Sequence, residues 1–257
     1  MSNRRTGYAL ALLAVLVALL GAACNSQPSL RGTEDVPIRD IPWSDGEETH
    51  YALRNDDGER IGSGTLRIER DGETYRLTQS YQAHTEANRS PTDTDEMVSV
   101  VQAADLKPVR FERRANNDDE LYQVEAEFAG DQVLATFTRG NRSQDRETSL
   151  PEQAYDNESL VFLWRAMPLE DEFSARIVAI AFDVVGRSIL KPVATLRVVQ
   201  QERVEVPAGA FNTWRVEALT GGRTVTAWIG VEAPHYLVKY DSGRNVVYEL
   251  ERVGQGR

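Results

Sequence analysis

The side chain with the clearest capacity for covalent chemistry is Cys24, the only cysteine among the 257 residues. Arg4 and Arg5 make the N-terminus positive, and an apolar run of 13 residues follows from Tyr8 to Leu20. Small residues then separate this run from the cysteine. The order of charge, apolar core and small residues is typical of a secretory signal. The sequence therefore predicts an exported chain whose single thiol lies at the end of that signal.

The segment Leu20-Gly21-Ala22-Ala23-Cys24 resembles a bacterial lipobox. The resemblance implies that residues 1–23 are a lipoprotein-type signal peptide and that Cys24 carries the lipid as the first mature residue. Gly21 stands where the lipobox prefers leucine, so simple export and a retained anchor are the alternatives, although a membrane span needs about 20 apolar residues. Lipidation of Cys24 would leave the folded part without a thiol for a disulfide, a metal site or a nucleophile.

Other residues with catalytic or metal-binding chemistry are scattered. His50, His84 and His235 are far apart in sequence, whereas metal ligands cluster at short spacings. The acidic segments 93–96 and 116–120 lack the glycine and the terminal glutamate of a calcium loop. No G-x-S-x-G element marks a serine nucleophile. We therefore predict no catalytic residue, no metal and no cofactor, and expect that the protein is not an enzyme.

The charge of the mature chain limits its partners. Removal of residues 1–23 takes away two arginines and no acid, which leaves 27 basic and 40 acidic residues and a formal charge of −13. Nucleic-acid binding requires a basic surface, so we exclude that class. The expected membrane contact is the lipid anchor on Cys24, at the periplasmic face of the cell envelope. Asn25 is not the aspartate that retains some lipoproteins in the inner membrane, which favours the outer membrane.

We interpret the polar segment 24–41 as the lipidated cysteine followed by a flexible tether, and residues 253–257 as a tail. Between them, residues 42–252 show period-two alternation interrupted by turn dipeptides. The clearest turn dipeptides are Asp57-Gly58, Asp71-Gly72, Gly130-Asp131, Gly221-Gly222 and Ser242-Gly243. The pattern predicts an all-β domain of about ten to twelve antiparallel strands, curled into a half-barrel or barrel.

One segment has helical spacing instead. Asp156 or Asn157 is a suitable N-cap, and Pro168 ends the segment, so we predict a helix over 156–167. Its apolar residues cover a wide arc, which indicates burial. In an all-β chain such a helix either plugs the concave side of the sheet or forms a movable lid over a ligand cavity.

The chain resembles a family of bacterial periplasmic proteins known as a domain of unknown function, DUF3108. The most specific match is Val206–Glu217, which follows the family pattern VPAGTF-x-T-x-x-V, and weaker matches are 46–51, 60–64, 227–229 and 234–240. The resemblance implies a curved antiparallel sheet similar to the LolA/LolB-type lipoprotein carriers, and it brings no catalytic residues. Pro207 and Gly209 also suit a tight hairpin, so the motif has a structural explanation.

The aromatic side chains suggest a function for the concave face, because an incompletely filled half-barrel would accept an acyl chain or a similar ligand. The candidate cavity or lid residues are Leu160, Phe162, Leu163, Trp164, Met167, Trp214 and Trp228. We therefore expect a non-catalytic envelope lipoprotein that binds lipid or another apolar ligand. The alternative is a structural or scaffolding lipoprotein that binds another envelope protein.

Overall fold

The computed structural model describes residues 36–84, 91–117 and 120–255. The signal segment, Cys24 and residues 256–257 lie outside this part of the chain. Sixteen strands form a single sheet that is not closed. The strands are β1 (Glu47–Arg54), β2 (Arg60–Asp71), β3 (Thr74–His84), β4 (Pro91–Gln102), β5 (Pro108–Asn117), β6 (Glu120–Ala129), β7 (Gln132–Arg139), β8 (Arg142–Ser149), β9 (Ala154–Asp156), β10 (Ser174–Asp183), β11 (Ser188–Leu190), β12 (Val193–Val206), β13 (Gly209–Thr220), β14 (Arg223–Gly230), β15 (Leu237–Asp241) and β16 (Val247–Gln255).

The sheet is built from two antiparallel meanders, β1–β8 and β12–β16. Strand β1 joins them, because it pairs with β2 on one side and with β16 on the other. The prediction of a curled antiparallel sheet is confirmed. The count of ten to twelve strands was too low, partly because some turns carry no sequence signal: the turn after β4 places Leu106 at φ 57°, a conformation usually marked by glycine.

All five predicted turn dipeptides lie at or between the ends of consecutive paired strands. The hairpin between β12 and β13 also has the predicted form, with Gly209 at φ 132° directly after Pro207 and Ala208. Ala208 donates its backbone N–H to the carbonyl of Leu250 at 3.0 Å. Phe211 packs against the core from the same hairpin. The Val206–Glu217 stretch is therefore accounted for by a hairpin whose tip docks on β16.

Strand β10 does not alternate, because every residue from Ile177 to Asp183 is buried. A strand whose two faces are both buried must be covered by other parts of the chain on both sides. The Phe182 ring stacks on Phe111 of β5 at 4.8 Å between centroids and also contacts Phe128 and Phe137 of β6 and β7. One end of the sheet therefore packs against the concave face of the other end.

Side chains cross between strand β8 and the β10–β11 hairpin. Lys191 donates to the carbonyl of Ser149 at 3.2 Å, and Arg146 donates to the carbonyl of Arg187 at 3.2 Å. These long cationic side chains cover backbone groups that an edge strand would otherwise expose. The sheet is curled but not closed, so of the two predicted forms it matches the half-barrel and not the barrel.

Candidate functional site

The concave side of the sheet contains one short helix, α1 (Leu160–Ala166), which follows β9 and a 3₁₀ turn over Asn157–Ser159. Asp156 caps this turn, because its Oδ1 accepts the backbone N–H of Glu158 at 3.2 Å. Every residue from Asn157 to Ala166 is buried. The prediction of a short apolar helix on the concave side is confirmed. We call residues 157–166 the plug segment.

The predicted helix residues all lie in the core, which contains Leu160, Phe162, Leu163, Trp164 and Met167. A helix that is apolar around its whole circumference must be enclosed on every side. Phe162 contacts the ring of Trp43 at 6.4 Å between centroids in an edge-on arrangement, and Trp43 contacts Tyr75 in the same way at 5.8 Å. These side chains therefore fill the interior of the curled sheet in the structure.

The two sheet tryptophans occupy different faces. Trp214 pairs with Ile229, which is fully buried, and it packs against the core while remaining partly exposed. Trp228 lies on the opposite face of β14 from Ala227 and Ile229, and its indole N–H donates to the carboxylate of Glu202. The prediction that Trp228 lines the concave face is therefore wrong. Alternation along β14 turns this residue outward, and aromatic type alone did not identify its face.

One small gap lies beside the plug segment. A gap of about 10 Å³ separates Val161 from the sheet and is lined mainly by Tyr51, Tyr81, Tyr240 and Tyr248. A single water molecule needs about this much room, whereas sites for small-molecule ligands occupy roughly 300–1,000 Å³. In this conformation the gap is therefore too small for an acyl chain.

The tyrosines around this gap were missed as interior residues in the sequence analysis. Tyr81 shares one face of β3 with Tyr75, Leu77 and Gln79, so the period-two pattern could have identified it. The Tyr51 hydroxyl donates to the carbonyl of Leu237 at 2.9 Å, and burial raises the pKa of Tyr51 to about 12. These phenols are neutral packing groups at ordinary pH.

The C-terminal end of the plug segment is fixed by Arg165. Its guanidinium pairs with Glu47 Oε1 at 2.7 Å, and the two side chains are only 2% and 7% exposed. It also donates to the carbonyls of Pro234 and His235, each at 3.0 Å. The cation lies over the Trp43 ring at 5.4 Å. Charge and hydrogen-bonding capacity are therefore well matched at this end.

The N-terminal end is fixed by neutral donors from the sheet. Ser99 of β4 donates to Asp156 Oδ2, and Gln79 of β3 donates to the carbonyl of Glu158 at 2.5 Å. Asp156 and Glu158 are both buried, and burial raises the pKa of Asp156 to about 6 and that of Glu158 to about 8. The nearby Arg113 opposes the second shift but is itself bound in a bidentate pair to Asp95.

The chain segment before β1 also contacts the plug segment. Val36 is buried, and Arg39 donates its backbone N–H to the carbonyl of Ala166 at 2.9 Å, at the C-terminal end of α1. Ile38 and Ile41 pack against the core. Residues 36–41, which the sequence analysis placed in a flexible tether, are therefore docked beside the helix in the structure.

The histidines take part in separate local contacts. His50 lies 2.7 Å from Glu48, His84 lies 3.4 Å from the Ser63 hydroxyl, and the His235 ring contacts the carbonyl of Gly230 at 2.9 Å. Within the described ranges, no three His, Asp or Glu side chains come together as a metal site. Over the same part of the chain, no helix has the length and apolar character that a membrane crossing requires.

Comparison with known proteins identifies the family. A family described as "Protein of unknown function (DUF3108)" matches residues 48–247. No curated protein sequence matches the chain. Among solved structures, the chain is similar to a protein from Bacteroides fragilis that has a YmcC-like fold and is inferred to be exported. The two chains are 11% identical, the match covers 85% of this chain and 100% of that one, and the TM-score is 0.34. The chain is also similar to an inferred lipoprotein from Parabacteroides distasonis, with 11% identity, coverage of 84% and 99%, and a TM-score of 0.31.

The family match covers most of the described strands, from β1 to the start of β16. The chain therefore belongs to the DUF3108 family, as its resemblance in sequence implied.

Proposed function

We propose that this DUF3108 protein is a non-catalytic, lipid-anchored protein of the cell envelope that binds another envelope protein through its outer surface. The observation that carries the proposal is the filled interior. The plug segment and strand β10 occupy the concave side, and the gap of about 10 Å³ beside Val161 leaves no room for an acyl chain. In this conformation the outer face of the sheet is the surface available to a partner.

The anchoring part of the proposal rests on the sequence around Cys24. The docked residues 36–41 place the start of the folded domain about twelve residues after the cysteine, and twelve extended residues reach at most roughly 40 Å. The domain would therefore stay close to one membrane, with the outer membrane favoured by Asn25. Mass spectrometry of the protein purified from envelopes should find acyl groups on Cys24, and a mature chain without them would contradict the anchor.

Photo-crosslinking in intact envelopes tests the partner. A photoreactive amino acid at Thr78 or Gln123, on the outer faces of β3 and β6, should give a discrete adduct with one envelope protein. The same probe at buried Phe162 is the matched control and should give no intermolecular adduct. Recovery of only the monomer from every outer position of the sheet would overturn the proposal.

A second function, binding of an apolar ligand, is favoured by one observation. Part of the concave side is filled by a short segment held at two polar ends, rather than by side chains of the sheet. A ligand could enter only if the plug segment left. The protein should then release co-purifying lipid on denaturation and bind an apolar dye, and Trp164→Ala should change dye uptake. A folded protein with neither bound lipid nor dye uptake would reject this function.

A further inference from the structure

The core of this domain holds more buried acid than buried base. Among the described residues, six carboxyl side chains are buried, at Glu47, Asp93, Asp95, Asp156, Glu158 and Asp183, against two guanidinium groups, at Arg113 and Arg165. Arg165 pairs with Glu47 at the C-terminal end of the plug segment. The other end contains Asp95, Arg113, Asp156 and Glu158, which we call the carboxyl cluster.

The groups of the carboxyl cluster differ in how fully they are hydrogen-bonded. Arg113 binds Asp95 through two hydrogen bonds, of 2.9 and 2.5 Å. Asp156 accepts the Ser99 hydroxyl and the backbone N–H of Glu158. Glu158 receives one hydrogen bond on Oε1, from the Asn157 amide at 3.1 Å, while its buried Oε2 has no hydrogen-bond partner in the described part of the chain. A buried carboxylate with an unsatisfied oxygen is far less stable than a neutral carboxylic acid.

The groups around Glu158 come from several elements. Asp95 lies on β4, Arg113 on β5 and Asp156 on β9, and the phenols of Tyr81, Tyr240 and Tyr248 come from β3, β15 and β16. Arg113 and the hydrogen bond from Asn157 favour the charged form of Glu158, and burial outweighs them. The phenols do not compete for the proton, because burial raises the pKa of each above its ordinary value.

We propose that the plug segment is stable in the sheet while Glu158 is neutral, so that loss of the Glu158 proton loosens α1. When the plug segment opens, the carboxyl group of Glu158 contacts water and its pKa returns to that of an ordinary glutamate. Opening therefore releases a proton and becomes more favourable as pH rises. This pH-dependent conformational change is additional to the proposed partner binding, and it does not depend on the identity of the partner.

The direction and window follow from the pKa of Glu158, which is about 8 in the folded state and 4.5 in its ordinary state. A raised pKa contributes stability that is complete below the ordinary value and is lost as pH rises towards the folded value. Asp156 adds a similar effect between its ordinary 3.8 and about 6. Between about pH 6.5 and about pH 7.5 Glu158 acts almost alone, and the opening constant should rise about tenfold per pH unit.

Hydrogen exchange of the full chain measures this opening. Protection factors for amides in Val161–Ala166 should be smaller than those in β2 and β3, and should fall about tenfold between about pH 6.5 and about pH 7.5. Glu158→Gln keeps the shape but cannot ionise, so its protection should not change across this window. Glu125→Gln, on the exposed outer face of β6, is the control and should retain the wild-type dependence.

Two results would overturn the inference. One is a Glu158→Gln protein whose protection of α1 still falls tenfold over the window. The other is a wild-type protein in which α1 is protected as strongly as β2 and β3, since exchange would then require global unfolding. If Glu158→Gln does not fold, the wild-type protein alone tests the inference, because protection of α1 that stays constant between about pH 6.5 and about pH 7.5 would also overturn it.

Discussion

The two ends of the plug segment are held by opposite arrangements of charge. At the C-terminal end, Arg165 meets a carboxylate, two carbonyls and an aromatic face. At the N-terminal end, Asp156 and Glu158 lie beside neutral donors and an arginine already paired with Asp95. A matched ion pair holds its position over a wide pH range, whereas unmatched acids do so only while protonated. The comparison indicates that one end serves as a fixed anchor and the other as a titrating one.

The largest expected effect comes from breaking the fixed end. Arg165→Met keeps similar volume but leaves Glu47 buried without its cation, and we expect a loss of about 3–5 kcal/mol in the free energy of unfolding. Urea denaturation near pH 6 measures this loss. A change below about 1 kcal/mol would mean that the C-terminal end does not hold the plug segment.

A smaller effect is expected from the neutral donors at the other end. Ser99→Ala removes the hydroxyl that Asp156 accepts, and loss of one hydrogen bond to a buried polar group costs about 1–3 kcal/mol. The same denaturation assay applies. Thr78→Ala, on the outer face of β3, is the control and should change stability by less than about 0.5 kcal/mol.

The pH dependence separates the two ends directly. From about pH 6.5 to about pH 7.5, the free energy of unfolding of the wild-type protein should include a loss of about 1.4 kcal/mol from Glu158. Arg165→Met should show at least the wild-type slope from a lower starting value, because Glu47 without its cation can also take up a proton. Glu158→Gln should lack that contribution. Equal slopes in wild type and Glu158→Gln would contradict the assignment of the two ends.

The smallest effect is expected outside the core. Arg197 pairs with Glu217 at 2.7 Å, as Arg165 does with Glu47, but the Arg197 side chain is 67% exposed. Exposed ion pairs contribute about 0–1 kcal/mol. Arg197→Met should therefore change stability by less than about 1 kcal/mol in urea denaturation. A loss comparable to that of Arg165→Met would show that burial does not set the strength of these pairs.

The sequence allowed the local features to be predicted where one residue type determines them. Glycine-containing turns, period-two strands and the short helix with the Asp156-capped turn before it are of this kind. Strand β10 could have been inferred from its unbroken apolar run, Ile177–Phe182. The docking of β10 on β5–β7 could not, since it depends on how distant strands meet. Alternation along β14 could have indicated the outward position of Trp228.

The candidate site was predicted in part. The apolar residues of α1 follow from helical spacing, but the polar ends of the plug segment depend on contacts between residues far apart in sequence. Arg165 and Glu47 are 118 positions apart, and Ser99 and Asp156 are 57 apart. The apolar residues around Arg165 indicate that it is buried, but nothing local in the sequence identifies Glu47 as its partner. Whether the interior is filled or hollow depends on how the side chains of all elements pack together. The alternation along single strands gives no information about that packing.

The central claim is that the chain fills its own interior and therefore carries no apolar ligand in this conformation. The most direct measurement is mass spectrometry of the full-length protein purified from envelopes, first intact under native conditions and then denatured and extracted. If Cys24 is acylated as proposed, its acyl groups stay covalently attached, so any lipid released on denaturation was bound non-covalently. We predict a native mass equal to that of the acylated chain and no released lipid. Stoichiometric release of a lipid or another apolar molecule would contradict the claim.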